Sequence, residues 1–176
     1  VLRGRSQRLE DRLTQLLENA RDNERRATHV HRLARTLIRA PTLAAAIVGL
    51  QQCMREDFGI DEAWVGVVPG LLKRSDIEGL HRLDAEGAVA RLFENFLRTK
   101  LIECGPLSEV RARLLFPKAA ELPQSAAVVP LERDKNLGML ILASRDPQRF
   151  QPRQGKLFLE MTAELVAAAV RAKLVS

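Results

Sequence analysis

Residues 125–143 read SAAVVPLERDKNLGMLILA. Two apolar runs, 125–131 and 137–143, flank a polar turn at 132–136, which is the pattern of a β-hairpin. Neither run alternates apolar with polar. Met139 and Ile141 face opposite to Leu140 and Leu142, and all four are apolar. A strand that is apolar on both sides must be covered on both sides. Residues 61–68 (DEAWVGVV) repeat the pattern: Ala63, Val65 and Val67 lie on one side, Trp64 and Val68 on the other, and Pro69-Gly70 stops the run. The hairpin and this third strand therefore define a sheet between two layers.

The covers are found by working outward. Thr42 caps a helix over 43–57 that Gly59 closes, with Leu43, Ala46, Ile47, Leu50, Cys53 and Met54 as its apolar stripe. A final helix over 152–174 is expected to start at Pro152 and to carry Leu157, Phe158, Met161, Leu165 and Ala168 at helical spacing. These two helices supply one layer. The middle of the chain must supply the other. Asp84 is read as the cap of a helix over 84–99, with Val89, Leu92, Phe93, Phe96 and Leu97 inward, and Ser108 as the cap of a short helix reaching Phe116. Residues 102–107 read as a short extended segment entering a turn, and 70–83 as a short strand or a loop. The fold class is α+β, with a sheet read as antiparallel and sandwiched between helical layers.

Ahead of this domain (residues 41–176) lies an arm, residues 1–40, which no proline interrupts before Ala40-Pro41 ends it. Apolar residues recur there at alternating three and four: Leu9, Leu13, Leu16, Ala20, Ala27, Val30, Ala34 and Leu37, with Asn23 filling the gap. Such heptads pair helices into coiled coils. Leu9, Leu16, Asn23, Val30 and Leu37 take the d position, and Leu13, Ala20, Ala27 and Ala34 take a. Leu9, Leu13, Leu16, Asn23, Val30 and Leu37 are thus the candidate dimerisation residues, and Arg5 is placed to reach Glu10 of a parallel partner. The competing reading is a single long amphipathic helix packed on its own domain.

Residues 1–39 carry ten Arg against five acids, while 40–176 are nearly balanced, so the net charge of +6 belongs almost wholly to the arm. A solvated helical face accounts for this more simply than nucleic-acid binding does. The apolar runs are too short to span a membrane. The two cysteines, Cys53 and Cys104, make no disulfide framework, so a reducing cytoplasm is expected. Val1 in place of an initiator Met points to a chain that starts earlier.

The stretch LGMLILASRDPQRFQPRQGKLFLEMTAELVAAAV (137–170), taken with the order of elements before it, resembles the ending of a GAF domain. More narrowly, the chain resembles a bacterial GAF-like family of unknown function, DUF484, through its helical arm and the turn Cys104-Gly105-Pro106-Leu107 before a short helix. The resemblance implies a small molecule held between the sheet and the mid-chain helices. The candidate pocket is Trp64, Val68, Leu140 and Leu142 on one sheet face, with Cys104, Leu107 and Phe116 above it and Lys73, Arg74 and Arg82 at its rim. A filled core built of the same residues is the alternative.

No phosphate-binding Gly-rich loop, dinucleotide fingerprint, zinc-protease motif or nucleophile elbow occurs. His29 and His31 project roughly 200° apart on a helix and cannot share a metal. Cys104, beside Gly105 near a helix start, is either a reactive thiol or part of a structural turn. Neither a catalytic residue, a metal nor a cofactor is assigned. The expectation is a homodimeric GAF-like sensory or regulatory module, not an enzyme, with its signal carried through the arm. The alternatives are a ligand-free interaction adaptor and nucleic-acid binding through the Arg-rich arm.

Overall fold

The computed structural model describes residues 2–71, 77–153 and 155–174, with side chains from residue 4 onward. Arg74 and Lys73, expected at the pocket rim, lie outside the described residues. A long helix α1 (Leu2–Arg39) leads into α2 (Leu43–Phe58), β1 (Glu62–Val67), β2 (Leu80–Arg82), α3 (Ala88–Leu92), α4 (Glu94–Thr99), β3 (Glu103–Pro106), α5 (Glu109–Leu115), β4 (Ser125–Leu131), β5 (Gly138–Ser144) and α6 (Leu157–Lys173). The strands form one five-stranded sheet in the order β2-β1-β5-β4-β3. Every neighbouring pair is antiparallel except β1 with β2, which run parallel.

The sheet is buried front and back, and all seven residues of β5 are buried. On one face Ala63, Val65, Val67, Leu140 and Leu142 meet α2, α6 and the end of α1. On the other, Trp64, Met139, Ile141 and Val128 meet Phe93, Phe96, Leu107, Leu115 and Phe116 from the middle of the chain. The hairpin turn needs left-handed backbone at Glu132 and Asn136. It is closed by Asn136 N–H donating to the Glu132 carbonyl at 2.7 Å. Arg171 of α6 holds the Glu132 carboxylate, which ties the turn to the helical layer.

α2 follows the sequence closely. Thr42 Oγ1 accepts from Ala45 N–H, Gly59 is left-handed, and the expected apolar stripe is buried. Two other helices begin later than their sequence suggests. Leu83 N–H still donates to the Val67 carbonyl, so the chain is held against β1 there. Asp84 then forms a turn closed by Gly87 N–H, and the helix starts only at Ala88. It breaks at Phe93, which lies between α3 and α4 and is fully buried, as Phe96 is. At the other end, Phe150 is buried and its N–H reaches Ser125 Oγ of β4. The chain is pinned to the sheet at that point, so α6 starts at Leu157 and Pro152 sits in a turn. Among the described residues no helix is long and apolar enough to cross a membrane.

The boundary between arm and domain is not sharp. α1 ends where Ala40-Pro41 predicts, but Leu33 and Leu37 are part of the domain core, packed with α2 and α6.

Candidate functional site

Two regions matter: the sheet face around Trp64, and the exposed length of α1. Trp64 lies flat across Gly66, two residues on along β1. A Cβ at Gly66 would sit 2.4 Å from the indole, so this packing requires the missing side chain. His81, the β2 partner of Gly66, stacks on the indole with ring centroids 4.8 Å apart and planes 7° apart. Packing on the indole removes the imidazole from water on that side and pushes its pKa down, although its outer edge is exposed. Phe93 and Phe96 close over the same face. The Arg111 guanidinium lies 4.4 Å above the Phe93 ring and donates to the Leu92 carbonyl at 2.6 Å, which pins the lid from outside.

The structure brings together only part of the expected pocket. Trp64, Leu107 and Phe116 share the lid face. Leu140 and Leu142 do not, because Trp64 stands opposite Ile141 and Val65 opposite Leu140. Both leucines point into the α1, α2 and α6 layer. Cys104 is also on that side, opposite Ala127. Val68 lies beyond the end of β1, half-buried, with its N–H on the Leu137 carbonyl. Met139, Ile141, Phe93 and Phe96 line the Trp64 face instead, and each is at most 2% exposed. Surface grooves lie elsewhere. One of about 410 Å³ runs between α2 and residues 78–79, and another of about 500 Å³ is bounded by Leu107, Glu121, Pro123 and Arg145. Neither touches Trp64.

Burial pushes the Cys104 thiol up, and the nearby Lys156 only partly opposes this, the reverse of the shift that activates a thiol. Cys53 is buried, and the two cysteines are free thiols. His29 packs edge-on against Phe58, while His31 is exposed on another side of α1. Among the described residues no group of three His, Cys, Asp or Glu side chains is placed to hold a metal.

The arm divides into two parts. Over residues 4–28 every side chain is exposed, including Leu9, Leu13, Leu16, Leu17 and Asn23. Leu9 is 69% exposed, a large apolar surface left to water. The last turns are embedded instead. Arg32 bridges Glu56 and Asp57 of α2 at 2.9 and 2.7 Å, and Thr36 packs onto Gly49, where a Cβ would meet Thr36 Cγ2 at 2.6 Å. Leu37, expected in the dimer seam, is 2% exposed within its own domain, and Val30 is half-buried. The reason is geometric. A straight helix turns 100° per residue and drifts by roughly 20° per heptad against a 3.5-residue seam. By residue 37 the seam position has rotated into the core. Leu33, which the heptad reading passed over, anchors the embedded face beside Leu37, and Ile38 is left exposed on the leucine side. The spacing of Leu33 and Leu37 four apart was the available signal.

The profile of the family described as "Protein of unknown function, DUF484" matches residues 1–173. No curated protein sequence matches the chain. Among solved structures it is similar to the GAF domain of a phosphoenolpyruvate-protein phosphotransferase from Coxiella burnetii, with a TM-score of 0.60, 15% identity, 85% of this chain covered and 96% of that one. It is also similar to the GAF domain of an Acinetobacter phosphoenolpyruvate-protein phosphotransferase, with a TM-score of 0.57, 14% identity, 84% of this chain covered and 93% of that one. At such identities the likeness establishes the fold and leaves function to the site.

Proposed function

This chain belongs to the DUF484 family, and from that premise and its GAF-type fold we propose that it is a non-catalytic regulatory module that works as a dimer paired through the exposed length of α1. The observation that carries this reading is the division of one helix. Leu9, Leu13 and Leu16 offer an apolar stripe to a partner, while Leu33 and Leu37 of the same helix are core residues of the domain. A change in how the core packs would therefore turn or tilt the arm directly, with no flexible linker between them. Transmission of this kind requires two packing states that differ in affinity for whatever selects between them.

The reading favours signals received through protein contacts over a small molecule stored beside Trp64, because Phe93, Phe96, Met139 and Ile141 already occupy that face. Pairing is tested by sedimentation velocity on the full chain and on a Leu13→Lys/Leu16→Lys variant. The native chain is expected at twice its 19.7 kDa mass and the variant at the single mass. A native chain that stays monomeric at tens-of-micromolar concentration contradicts the reading.

A further inference from the structure

Resting on the dimer reading above, we infer that the two arms pair in the same direction and in register, so that Leu9, Leu13, Leu16 and Asn23 each face their own counterpart in a second copy of this chain. Three observations converge. The first is which part of the seam is free. Leu9 to Ala27 is exposed, whereas Val30 is half-buried and Leu37 is consumed by its own domain. Pairing head to tail along the whole helix would bring the leucines of one chain onto the occupied end of the other. Pairing head to tail within the free stretch would set Leu9 against Ala27 and Leu13 against the Asn23 amide. Shifted by one heptad, head-to-tail pairing sets Leu13 on Leu16 but leaves Leu9 on Ala20; only the parallel arrangement sets all three leucines on leucine, and it leaves Asn23 an amide to pair with across the axis.

The second observation is charge. The stripe has a basic flank, Arg5, Arg12 and Arg26 at the g positions, and an acidic one, Glu10 and Glu24 at the e positions, all exposed. Parallel pairing lays the g flank of each helix beside the e flank of its partner, which sets Arg5 beside Glu10 of the second copy, Arg12 beside its Leu17, Asn19 beside its Glu24 and Arg26 beside its His31, with no like charges facing. Head-to-tail pairing lays g against g and e against e, which is arginine on arginine and glutamate on glutamate. The charges thus oppose head-to-tail pairing and permit the parallel one, and with all three leucines matched on themselves they identify a second copy as the occupant.

The third is the orientation of the stripe relative to the domain. At 100° per residue, the leucine stripe is centred roughly 110° around the helix from the Leu33 and Leu37 face. A partner helix can therefore run along it without displacing α2 or α6. Both domains then sit at the same end of the paired arms.

Cysteine cross-linking tests the geometry. In a Cys104→Ser background, with Cys53 buried, Leu9→Cys and Leu16→Cys are each oxidised under mild conditions. Both are expected to give covalent dimers almost completely. A mixture of Leu9→Cys and Ala27→Cys chains is expected to give the 9–9 product and not a 9–27 hybrid. A 9–27 hybrid as the main product, or a dimer in sedimentation that cross-links at neither 9 nor 16, overturns the parallel register while leaving pairing itself intact. A monomer in sedimentation overturns both.

Discussion

Replacing Gly66 with Ala tests whether the Trp64 face is filled or holds room for a ligand. The added Cβ would lie 2.4 and 2.5 Å from two indole carbons, and ordinary contact begins at 3.4 Å, so the ring must retreat by about 1 Å. His81 is stacked on it, and Met139 and Ile141 are buried on the same face, with Phe93 and Phe96 above. Overpacking of this kind costs about 1–3 kcal/mol. Gly66 does not have a positive φ. An alanine that fitted would instead stabilise the fold by about 0.4–1 kcal/mol, by restricting the unfolded chain. The sign of the effect therefore decides the matter. With a filled face the variant loses roughly 2 kcal/mol, or about 4–8 °C in Tm for a chain of this size. Trp64 is the sole tryptophan, so urea unfolding followed by its fluorescence reads stability and ring environment together. A variant as stable as the native chain or more so, with unchanged emission, would refute the filled face and restore a cavity beside Trp64.

Other expectations follow from single contacts. Leu33→Ala removes a side chain that is fully buried and should cost about 2–5 kcal/mol in urea unfolding. Leu9→Ala, by contrast, should leave domain stability within about 0.5 kcal/mol and weaken pairing alone. Burial raises the Asp61 carboxyl, but the Arg145 backbone N–H, the Arg145 guanidinium and the Ser144 hydroxyl outweigh it and hold the pKa below the usual carboxylate value. A depressed native pKa gives stability that is complete above the unfolded value and disappears as pH falls through the native one. The stability gap between native and Asp61→Asn chains should therefore be widest near neutrality and close in acid, and a gap independent of pH would contradict this. Cys53 is buried and the Cys104 thiol is shifted upward, so both should react slowly with a thiol reagent at neutral pH until the chain is unfolded. Immediate modification of the native protein at Cys104 would disprove that assignment.

The elements readable from sequence were those whose signals are local. Thr42 and Gly59 bracket α2, and the change from apolar to charged residues at 132–136 marks the hairpin turn. The two-sided burial of the sheet was equally plain, because Trp64 and Val65 are neighbours and both are apolar. That same property concealed the register. A strand with one wet face has a register fixed by polarity, but β1 and β5 are apolar on both sides, so a shift of one residue leaves the pattern unchanged. Trp64 faces Ile141, while a shift by one would give it Leu140 or Leu142. The assignment of Leu140, Leu142 and Cys104 to the Trp64 face failed for this reason. The late start of α6 was hidden differently, since nothing local reveals that Phe150 is tied down on Ser125 of β4. In the arm the heptad pattern was visible, but the point where a straight helix rotates Leu37 into the core depends on the domain that receives it.

Hydrogen–deuterium exchange along α1 tests most directly the claim that one helix serves both the core and a second chain. Isolated helices are marginal in water, so residues 4–28 should be protected only while they are paired. Protection there is expected in concentrated native protein and should vanish on dilution or in Leu13→Lys/Leu16→Lys, while residues 30–39 stay protected with the domain throughout. Protection along the whole of α1 that depends on neither concentration nor those leucines would contradict the account.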